Sequence, residues 1–285
     1  MFYDLSVPWP VRDAGTGKKK KGRPSEEQPR GADALRALPQ GEQARLTDIA
    51  TELIELGYQT VAFNQIVHTQ FDPALHANPF ARVGRELKPP FAHLDPRTNK
   101  NIARGLTQLS RLTVVLDQES MAKSGSGFVA SNSNALLQYD ILAVTPTTEA
   151  SFQHACITLS ELKPFSIDII SLDLAAAPRL PFHLRRSTVG AALANGVVFE
   201  IAYSAAVDAH DDNARRNLIS GTREVLRVTN GKGVIFSSGA REALGLRSPY
   251  DVMNLAAVLG MAPSAAKDAL STRCRSLVIR AGTLF

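Results

Sequence analysis

The feature that most constrains the fold of this chain is a repeated alternation between short apolar runs and longer helix-like segments. The apolar runs are nearly continuous in Val, Ile, Leu and Phe, which is typical of strands covered on both faces in a parallel sheet. They lie at 2–7, 58–67, 111–117, 140–146, 168–174, 197–203, 233–239 and 275–280. Because the segments between them are suited to helical crossovers, the sequence predicts an α/β fold with parallel strands.

Helix-like patterns predict the elements between these strands. They cover 44–57, 98–110, 148–162, 182–196, 211–229, 248–261 and 263–271, with a short helix after the Ser/Gly/Asn-rich stretch at 124–134. Ser248 followed by Pro249 is a favourable helix start, and Asn195-Gly196 is a favourable helix stop. These signals predict one helix beginning at 248 and another ending near 195.

About eight β/α units of this kind fit the length of the chain, and both a closed barrel and an open doubly wound sheet accommodate them. No GxGxxG motif follows the first strand, which argues against a nucleotide-binding open sheet. The sequence therefore predicts a TIM-like (β/α) barrel of about seven to eight parallel strands. We expect a single domain over 1–285, with a flexible basic insertion at 12–34 and an irregular excursion rather than a core element at 68–96.

Composition is that of a protein with a sizeable buried core. Hydrophobic residues make up 44% of the chain, and no apolar run approaches the roughly 20 residues that a membrane-spanning helix needs. The first residues have no basic segment before an apolar one, unlike a secretory signal. Cys156 and Cys274 are far apart and in no CxxC pair, which predicts a reduced, intracellular protein.

Positive charge is concentrated in two parts of the chain. Residues 12–30 carry a net charge of +4 and residues 179–285 one of +6, whereas residues 31–178 carry −4. Such asymmetry predicts a polyanionic partner, with an ordinary solvated basic surface as the alternative. Aromatic residues make up 6% of the chain, which favours recognition of phosphates and shape over stacking on single-stranded bases.

Polar and acidic residues occur where the predicted strands end, which is where barrels carry their functional groups. They are Asp4, Ser6, Asn64, His68, Asp117, Glu119, Thr145, Asp173, Glu200, Tyr203, Ser237 and Ser238. One interpretation is a catalytic metal site built from Asp4, Asp117, Asp173 and Glu200. The histidines show no HxH or HxxxH spacing, so the favoured interpretation is that these acids pair with arginines that follow them, such as Asp173 with Arg179.

The serines form no nucleophile motif. Ser237-Ser238-Gly239 is not a GxSxG elbow, so we expect Ser237 and Ser238 to cap the following helix or to meet a phosphate. No catalytic residue, metal site or bound cofactor is therefore predicted for this chain.

Basic residues are better patterned. On the predicted helix 211–229, Arg216, Arg223 and Arg227 share the arc opposite an apolar stripe. That stripe is Leu218, Ile219, Thr222, Val225 and Leu226. Other candidates flank the loops after the 168–174 and 233–239 strands or lie in the 12–34 insertion: Arg179, Arg185, Arg186, Arg241 and Arg247, and Lys18, Lys19, Lys20 and Lys21. Guanidinium groups suit bidentate phosphate contacts, while the lysine run fits a phosphate-binding arm, a nuclear-import signal or a solubilising insertion.

Two stretches of the chain carry a family resemblance. They are HLRRSTVGAALANGVVFEIAYSAAV at 183–207 and VIFSSGAREALGLRSPYDVMNLAAVLGMAPSAAKDALSTRCRSLVIR at 234–280, and YDLSVP and YDILAVTP agree with them. Together they resemble the barrel-like protein subunit of nuclear ribonuclease P, which ribonuclease MRP shares in eukaryotes. The resemblance covers most of 1–7 and 44–285, and the segments 12–34 and 68–96 look like lineage insertions.

The resemblance implies a barrel related to the polymerase and histidinol phosphatase (PHP) metallohydrolases that has lost its metal site. Ser6 and Pro8 stand where the hydrolase pattern would place histidines. In this family the RNA subunit, which needs Mg²⁺, performs cleavage, and the protein helps to fold and hold that RNA. The resemblance also implies a small α+β partner subunit and a nuclear, nucleolar location. It extends RNA contact to Arg185, Arg186, Arg241 and Arg247.

These expectations amount to a non-catalytic, RNA-binding subunit of a ribonucleoprotein that removes 5′ leaders from precursor tRNA. The alternative is an active metal-dependent phosphoesterase of the PHP type that uses the four strand-end acids. A metabolic barrel enzyme would need a phosphate-binding Gly-rich loop, of which Ser237-Ser238-Gly239-Ala240 is a faint version.

Overall fold

The computed structural model describes residues 1–10, 29–80, 88–121, 125–162, 164–207 and 211–282. Its strands, all parallel, are β1 Tyr3–Trp9, β2 Thr60–His68, β3 Thr107–Leu116, β4 Ile141–Pro146, β5 Ile169–Ser171, β6 Val198–Ala202 and β7 Val234–Ser237. They are neighbours in chain order, and these seven form a nearly closed barrel. The predicted TIM-like α/β barrel is therefore confirmed.

Helices surround the barrel. They are α1 Ala32–Arg36, α2 Gln40–Glu55, α3 Ser133–Leu136, α4 Glu149–His154, α5 Arg186–Ala194, α6 Ser204–Val207, α7 Asp212–Thr229, α8 Pro249–Val258, α9 Pro263–Leu270 and α10 Thr272–Arg280. The predicted start at 248 is confirmed, because the Ser248 hydroxyl accepts a hydrogen bond from the Asp251 N–H. Among the described residues, no helix has both the length and the apolarity needed to cross a membrane.

The barrel closes between its first and last strands through few contacts. The Gly239 N–H donates to the Ser6 carbonyl at 3.0 Å, and the Ser238 N–H donates to the Asp4 carboxylate at the same distance. The pairing of β1 with β2 shifts register between Asp4 and Val7. This seam is where loop residues that follow β7 meet β1.

The predicted strand at 275–280 is wrong, because these residues belong to α10. Cys274, Leu277 and Val278 are buried at the i, i+3 and i+4 spacing of a helix face. They pack into the same cluster as the interior residues Tyr3 and Leu5 of β1, together with Ala62, Leu109, Ile141, Ala143, Ile169, Val198 and Ile235. A helix therefore fills one end of the barrel where an eighth strand was expected.

The predicted helix at 98–110 is also wrong. Residues up to Leu106 form turns, and β3 begins at Thr107. The buried Asp95 carboxylate organises these turns by accepting hydrogen bonds from the Arg97 side chain and from the Gln108 N–H. These bonds tie the segment to the start of β3, which satisfies groups that a helix would have used.

The described part of 68–96 has no helix or strand after His68, in line with an irregular insertion. It nevertheless buries Phe71, Phe80 and Phe91, and the last two join the cluster between α2 and the sheet. The expectation that this segment is an excursion outside the core is therefore wrong. Its aromatic side chains supply the apolar surface that covers this side of the barrel.

Candidate functional site

The barrel interior holds a buried ion pair between β3 and β6. The guanidinium of Arg111 donates two parallel hydrogen bonds to the carboxylate of Glu200, one of them 2.6 Å long. A further guanidinium N–H donates to the Leu5 carbonyl at 2.8 Å, and the Ser237 hydroxyl donates to Glu200 at 2.6 Å. The side chains of Arg111 and Glu200 are 0% and 1% exposed, so water does not screen the pair.

Neutral polar side chains extend this pair into a network. The Arg111 Nε–H donates to the Thr113 hydroxyl, which donates to the Asn64 amide oxygen at 2.7 Å. The Asn64 amide in turn donates to the Ser6 hydroxyl at 3.2 Å. Ser6 is thus the last member of a hydrogen-bonded chain that begins at Arg111.

The Arg111 guanidinium sets the protonation of this interior. Burial alone would raise the pKa of Glu200, but the adjacent guanidinium and the hydrogen bonds outweigh burial, and the pKa lies below its ordinary value. Glu200 is therefore an ionised carboxylate whose charge is balanced by Arg111. The prediction that Glu200 pairs with an arginine is confirmed. The prediction that this arginine follows Glu200 in the chain is wrong, because Arg111 precedes it.

The four acids of the metal interpretation do not converge. Asp117 accepts hydrogen bonds from Thr69 and Ser120, and the exposed Asp173 accepts one from the Ala176 N–H. In the described ranges, no three His, Cys, Asp or Glu residues are grouped so that they could hold a metal ion. The acids present therefore do not fit a PHP-type metal centre. Nor do the ion pairs of these ranges join Asp173 to Arg179.

Asp4 lies at the seam between β1 and the loop after β7, where it is 1% exposed. One carboxylate oxygen accepts from the Ser6 and Ser238 N–H groups, while the other has no hydrogen-bond partner within the described chain. Burial raises the pKa of Asp4 above its ordinary value, although these hydrogen bonds oppose the rise. No ion pair between described residues includes Asp4, which is thus a desolvated acid.

Asp4→Asn is therefore expected to keep the free energy of unfolding at pH 7 within about 1 kcal/mol of the parent. The raised pKa means that the stability contributed by Asp4 is present below its unfolded value of 3.8 and is lost as pH rises through the folded value. The amide of the variant does not ionise and has no such loss. The free energy of unfolding of the Asp4→Asn variant should therefore rise relative to that of the parent between pH 4 and pH 7. Urea unfolding of parent and variant at pH 4 and pH 7 measures this difference, and an equal difference at the two pH values would contradict the assignment.

Ser237 and Ser238 are not available to a phosphate. They are 1% and 0% exposed, the Ser237 hydroxyl donates to Glu200, and the Ser238 hydroxyl accepts from the Ala240 N–H. Neither caps a helix, since Ser248 is the N-cap of α8. The expectation for both serines is wrong because β7 places them inside the barrel and its seam.

Most of the predicted arginines lie on one part of the surface, around the neighbouring helices α5 and α7. We call it the α5–α7 surface, and its members are all exposed: Arg179, Arg185, Arg186, Arg216, Arg223 and Arg227. Arg179 lines a cleft of about 320 Å³ whose other wall includes Ser220 and Glu224 of α7. The amphipathic pattern of α7 is confirmed, with Leu218, Thr222, Val225 and Leu226 buried and Ile219 partly buried.

Arg241 and Arg247 are exposed in a different place. The Arg241 carbonyl accepts from Arg45 of α2, and the Arg247 carbonyl accepts from Tyr58, which precedes β2. Arg45 also donates to the Pro8 carbonyl near the end of β1. Arg241 therefore lies near the carboxyl end of β1, whereas Arg247 lies where β2 begins. The lysine run Lys18, Lys19, Lys20 and Lys21 lies outside the described residues.

Arg111 is the residue that sequence reasoning missed. It stands at the beginning of an apolar run, where it was read as part of a strand without a role. The signal present in the sequence was that strands covered on both faces seldom hold a charge without a partner. Arg111 of β3 and Glu200 of β6 are charged residues in two such strands, which signals that each has a buried partner but not which residue that partner is.

Comparison with protein families gives a match over nearly the whole chain. The family model described as RNase P subunit p30 matches residues 1–284. The mouse ribonuclease P protein subunit p30 is 32% identical over 232 residues, covering 80% of this chain and 77% of its own length. The yeast ribonuclease P/MRP protein subunit RPP1 of Saccharomyces cerevisiae is 28% identical over 287 residues, covering 100% of this chain and 81% of its own.

Two further similarities concern length and fold. The Arabidopsis thaliana protein GAMETOPHYTE DEFECTIVE 1 is 31% identical over 98% of this chain, but the match spans only 44% of the plant protein. A chain in the cryo-EM structure of archaeal ribonuclease P with mature tRNA superposes with a TM-score of 0.56 at 15% identity. The superposition covers 84% of this chain and 88% of the archaeal one, which shows a shared fold.

Proposed function

This chain belongs to the family of the RNase P subunit p30, and from that premise we propose that it is a non-catalytic protein subunit of a ribonuclease P particle, and of ribonuclease MRP. In this proposal it binds and stabilises the RNA that removes the 5′ leader from precursor tRNA. The RNA, not this chain, uses Mg²⁺. A small α+β subunit and other particle proteins are its partners, and the nucleus and nucleolus are its location.

The observation that carries the non-catalytic role is the ion pair inside the barrel. An interior carboxylate that already accepts two bonds from a guanidinium has its charge balanced and its lone pairs engaged. To bind a metal, Glu200 would first have to break these bonds and leave the buried Arg111 guanidinium without its carboxylate, which is costly. Glu200, a buried acid of the barrel interior, thus has a structural role in the ion pair with Arg111.

The α5–α7 surface supports RNA binding. Its six arginines are exposed, and among the described residues their one ion pair is that of Arg227 with Glu224 at 3.9 Å, besides an electrostatic interaction of Arg185 with Glu149. Exposed ion pairs of this length contribute little to stability, so the guanidinium of Arg227 stays available to a phosphate. Arg185 and Arg186 meet the start of α5, where backbone N–H groups also favour an anion. We keep Arg241 and Arg247 as a second group of candidates.

The particle itself provides the direct test. A tagged chain is purified from native extract at moderate salt, the RNA that accompanies it is sequenced, and cleavage of a precursor tRNA is measured. One structured non-coding RNA together with leader removal supports the proposal. A preparation without enriched RNA that shows metal-dependent phosphatase activity would replace it with the phosphoesterase.

Replacing both Arg185 and Arg186 with alanine is expected to weaken RNA binding and to reduce the slope of log Kd against log salt by about one unit for each phosphate that the protein no longer neutralises. The matched control is Lys100→Ala with Arg104→Ala, which removes the same charge from exposed positions in the turns before β3. Filter binding across a salt series measures both slopes, and thermal unfolding checks that both variants fold. Equal slopes for the two variants would remove Arg185 and Arg186 from the residues that bind RNA.

A further inference from the structure

A groove of about 490 Å³ lies between α10 and the starts of β6 and β7. Its floor is apolar and includes Val198, Leu277 and the partly buried Leu193. Gly233, with φ of 60°, lets Leu193 pack directly on the turn before β7, where a Cβ would stand 2.2 Å from the leucine. The groove therefore has a fixed apolar floor, not a gap between mobile loops.

Cations with fixed positions line this floor. The Arg273 guanidinium donates to the carbonyls of Gly231 and Val234, at 2.6 and 3.2 Å, which holds its position without cancelling its charge. The exposed Lys232 lies on the turn that Arg273 holds. Arg280 also lines the groove, but its charge is balanced by Asp168 at 2.8 Å.

The charge around the groove is positive after its acids are counted. Asp268 is the carboxylate among the described lining residues, and it interacts electrostatically with Arg273. Arg280 and its partner Asp168 balance each other. Lys232 and Arg273 against Asp268 therefore leave the groove with a net charge of +1. A ligand suited to this groove therefore combines apolar groups with negative charge.

The groove is separate from the α5–α7 arginines at the start of α5. Arg186 begins α5, whereas Asn195, whose carbonyl accepts from Arg280, follows its end. A helix of nine residues is about 14 Å long at 1.5 Å per residue. RNA interfaces are polar and wet, while protein interfaces have an apolar centre with a polar rim.

We propose that this groove docks an extended acidic segment of a protein partner, with apolar side chains on the floor and carboxylates at Lys232 and Arg273. The inference rests on the proposed function, since the partner is sought within the same particle. Gly196, the second residue of the Asn195-Gly196 helix stop, lines this docking site.

The test places a photo-crosslinking amino acid at Ser276, an exposed residue of the groove wall, in the tagged chain within its native particle. The same group at the exposed Asn254 of α8 is the positional control. We expect a crosslink to one protein, mapped to a segment rich in Asp and Glu with apolar residues between them. Lys232→Glu should reduce its yield by about fivefold or more through like-charge repulsion, whereas Lys100→Glu should leave it unchanged.

Four results would overturn the proposal. The first three are a crosslink from Ser276 to RNA, a crosslink to a segment without excess acid, and a yield no higher than from Asn254. Insensitivity of the crosslink to Lys232→Glu would do the same. The RNA content of each preparation is measured in parallel. Loss of RNA from the parent particle would refute the proposed function, while normal RNA with no acidic crosslink would refute the groove alone.

Discussion

Arg111→Met is expected to lower the free energy of unfolding by about 3–5 kcal/mol, because it leaves the buried Glu200 carboxylate without its cation. Arg111 donates to Glu200, Leu5 and Thr113, so the substitution also removes donors from buried acceptors. Urea unfolding followed by circular dichroism measures the loss. The removal of an exposed arginine, Arg104→Met, is the matched control and should change stability by less than about 0.5 kcal/mol.

The pH dependence of the Arg111→Met variant separates lost charge pairing from lost packing. Without the guanidinium, burial would raise the folded pKa of Glu200 above its ordinary 4.5. The stability deficit of the variant relative to the parent should then be smaller below pH 4.5 than at neutrality, since the variant loses the contribution of Glu200 as pH rises through a raised pKa. Adding Glu200→Leu should recover much of the loss at pH 7. A single variant as stable as the parent at pH 7 would show that the ion pair does not support the barrel.

Leu277→Ala should cost about 2–5 kcal/mol, because it opens a cavity where α10 fills the end of the barrel. Leu277 is 2% exposed and packs into the cluster that includes Tyr3 and Leu5. Ile279→Ala on the same helix is the control, since Ile279 is 43% exposed and should lose less than about 1 kcal/mol. Thermal and urea unfolding of both variants make the comparison. If 275–280 were a strand, Leu277 and Ile279 would share a face, and similar losses for the two variants would support that arrangement over a helix.

The sequence carries enough information for the barrel but not for its last element. Long helices such as α7 were predictable because their apolar residues recur at helical spacing over many turns. The short run Ser276 to Ile279 fits either a strand or a helix, and only packing against β1 decides between them. The turns before β3 likewise depend on the buried Asp95, which accepts hydrogen bonds from Arg97 and Gln108. No local sequence pattern predicts these bonds.

The candidate site also has features that the sequence predicts and features that depend on tertiary contacts. Exposed arginines on α7 follow from the helical pattern, so their placement could be predicted, while contact with RNA stays a prediction. The partner of Glu200 could not be read from neighbouring residues, because Arg111 is 89 positions away and reaches it across the barrel interior. The places of Arg241 near the end of β1 and of Arg247 near the start of β2 also depend on tertiary contacts.

The packing of α10 against β1 has a consequence for biosynthesis. Tyr3 and Leu5 leave the ribosome early, yet the side chains that cover them from Cys274 to Val278 are made much later. Bringing the two ends of so long a stretch together costs conformational entropy, which the contacts of α10 with β1 offset only after they form. Until α10 is made, the part of the apolar interior that it covers is therefore exposed to water, and exposed apolar surface of this kind favours aggregation and chaperone binding. A ribosome that stalls before α10 would release an unplugged barrel with this interior still uncovered.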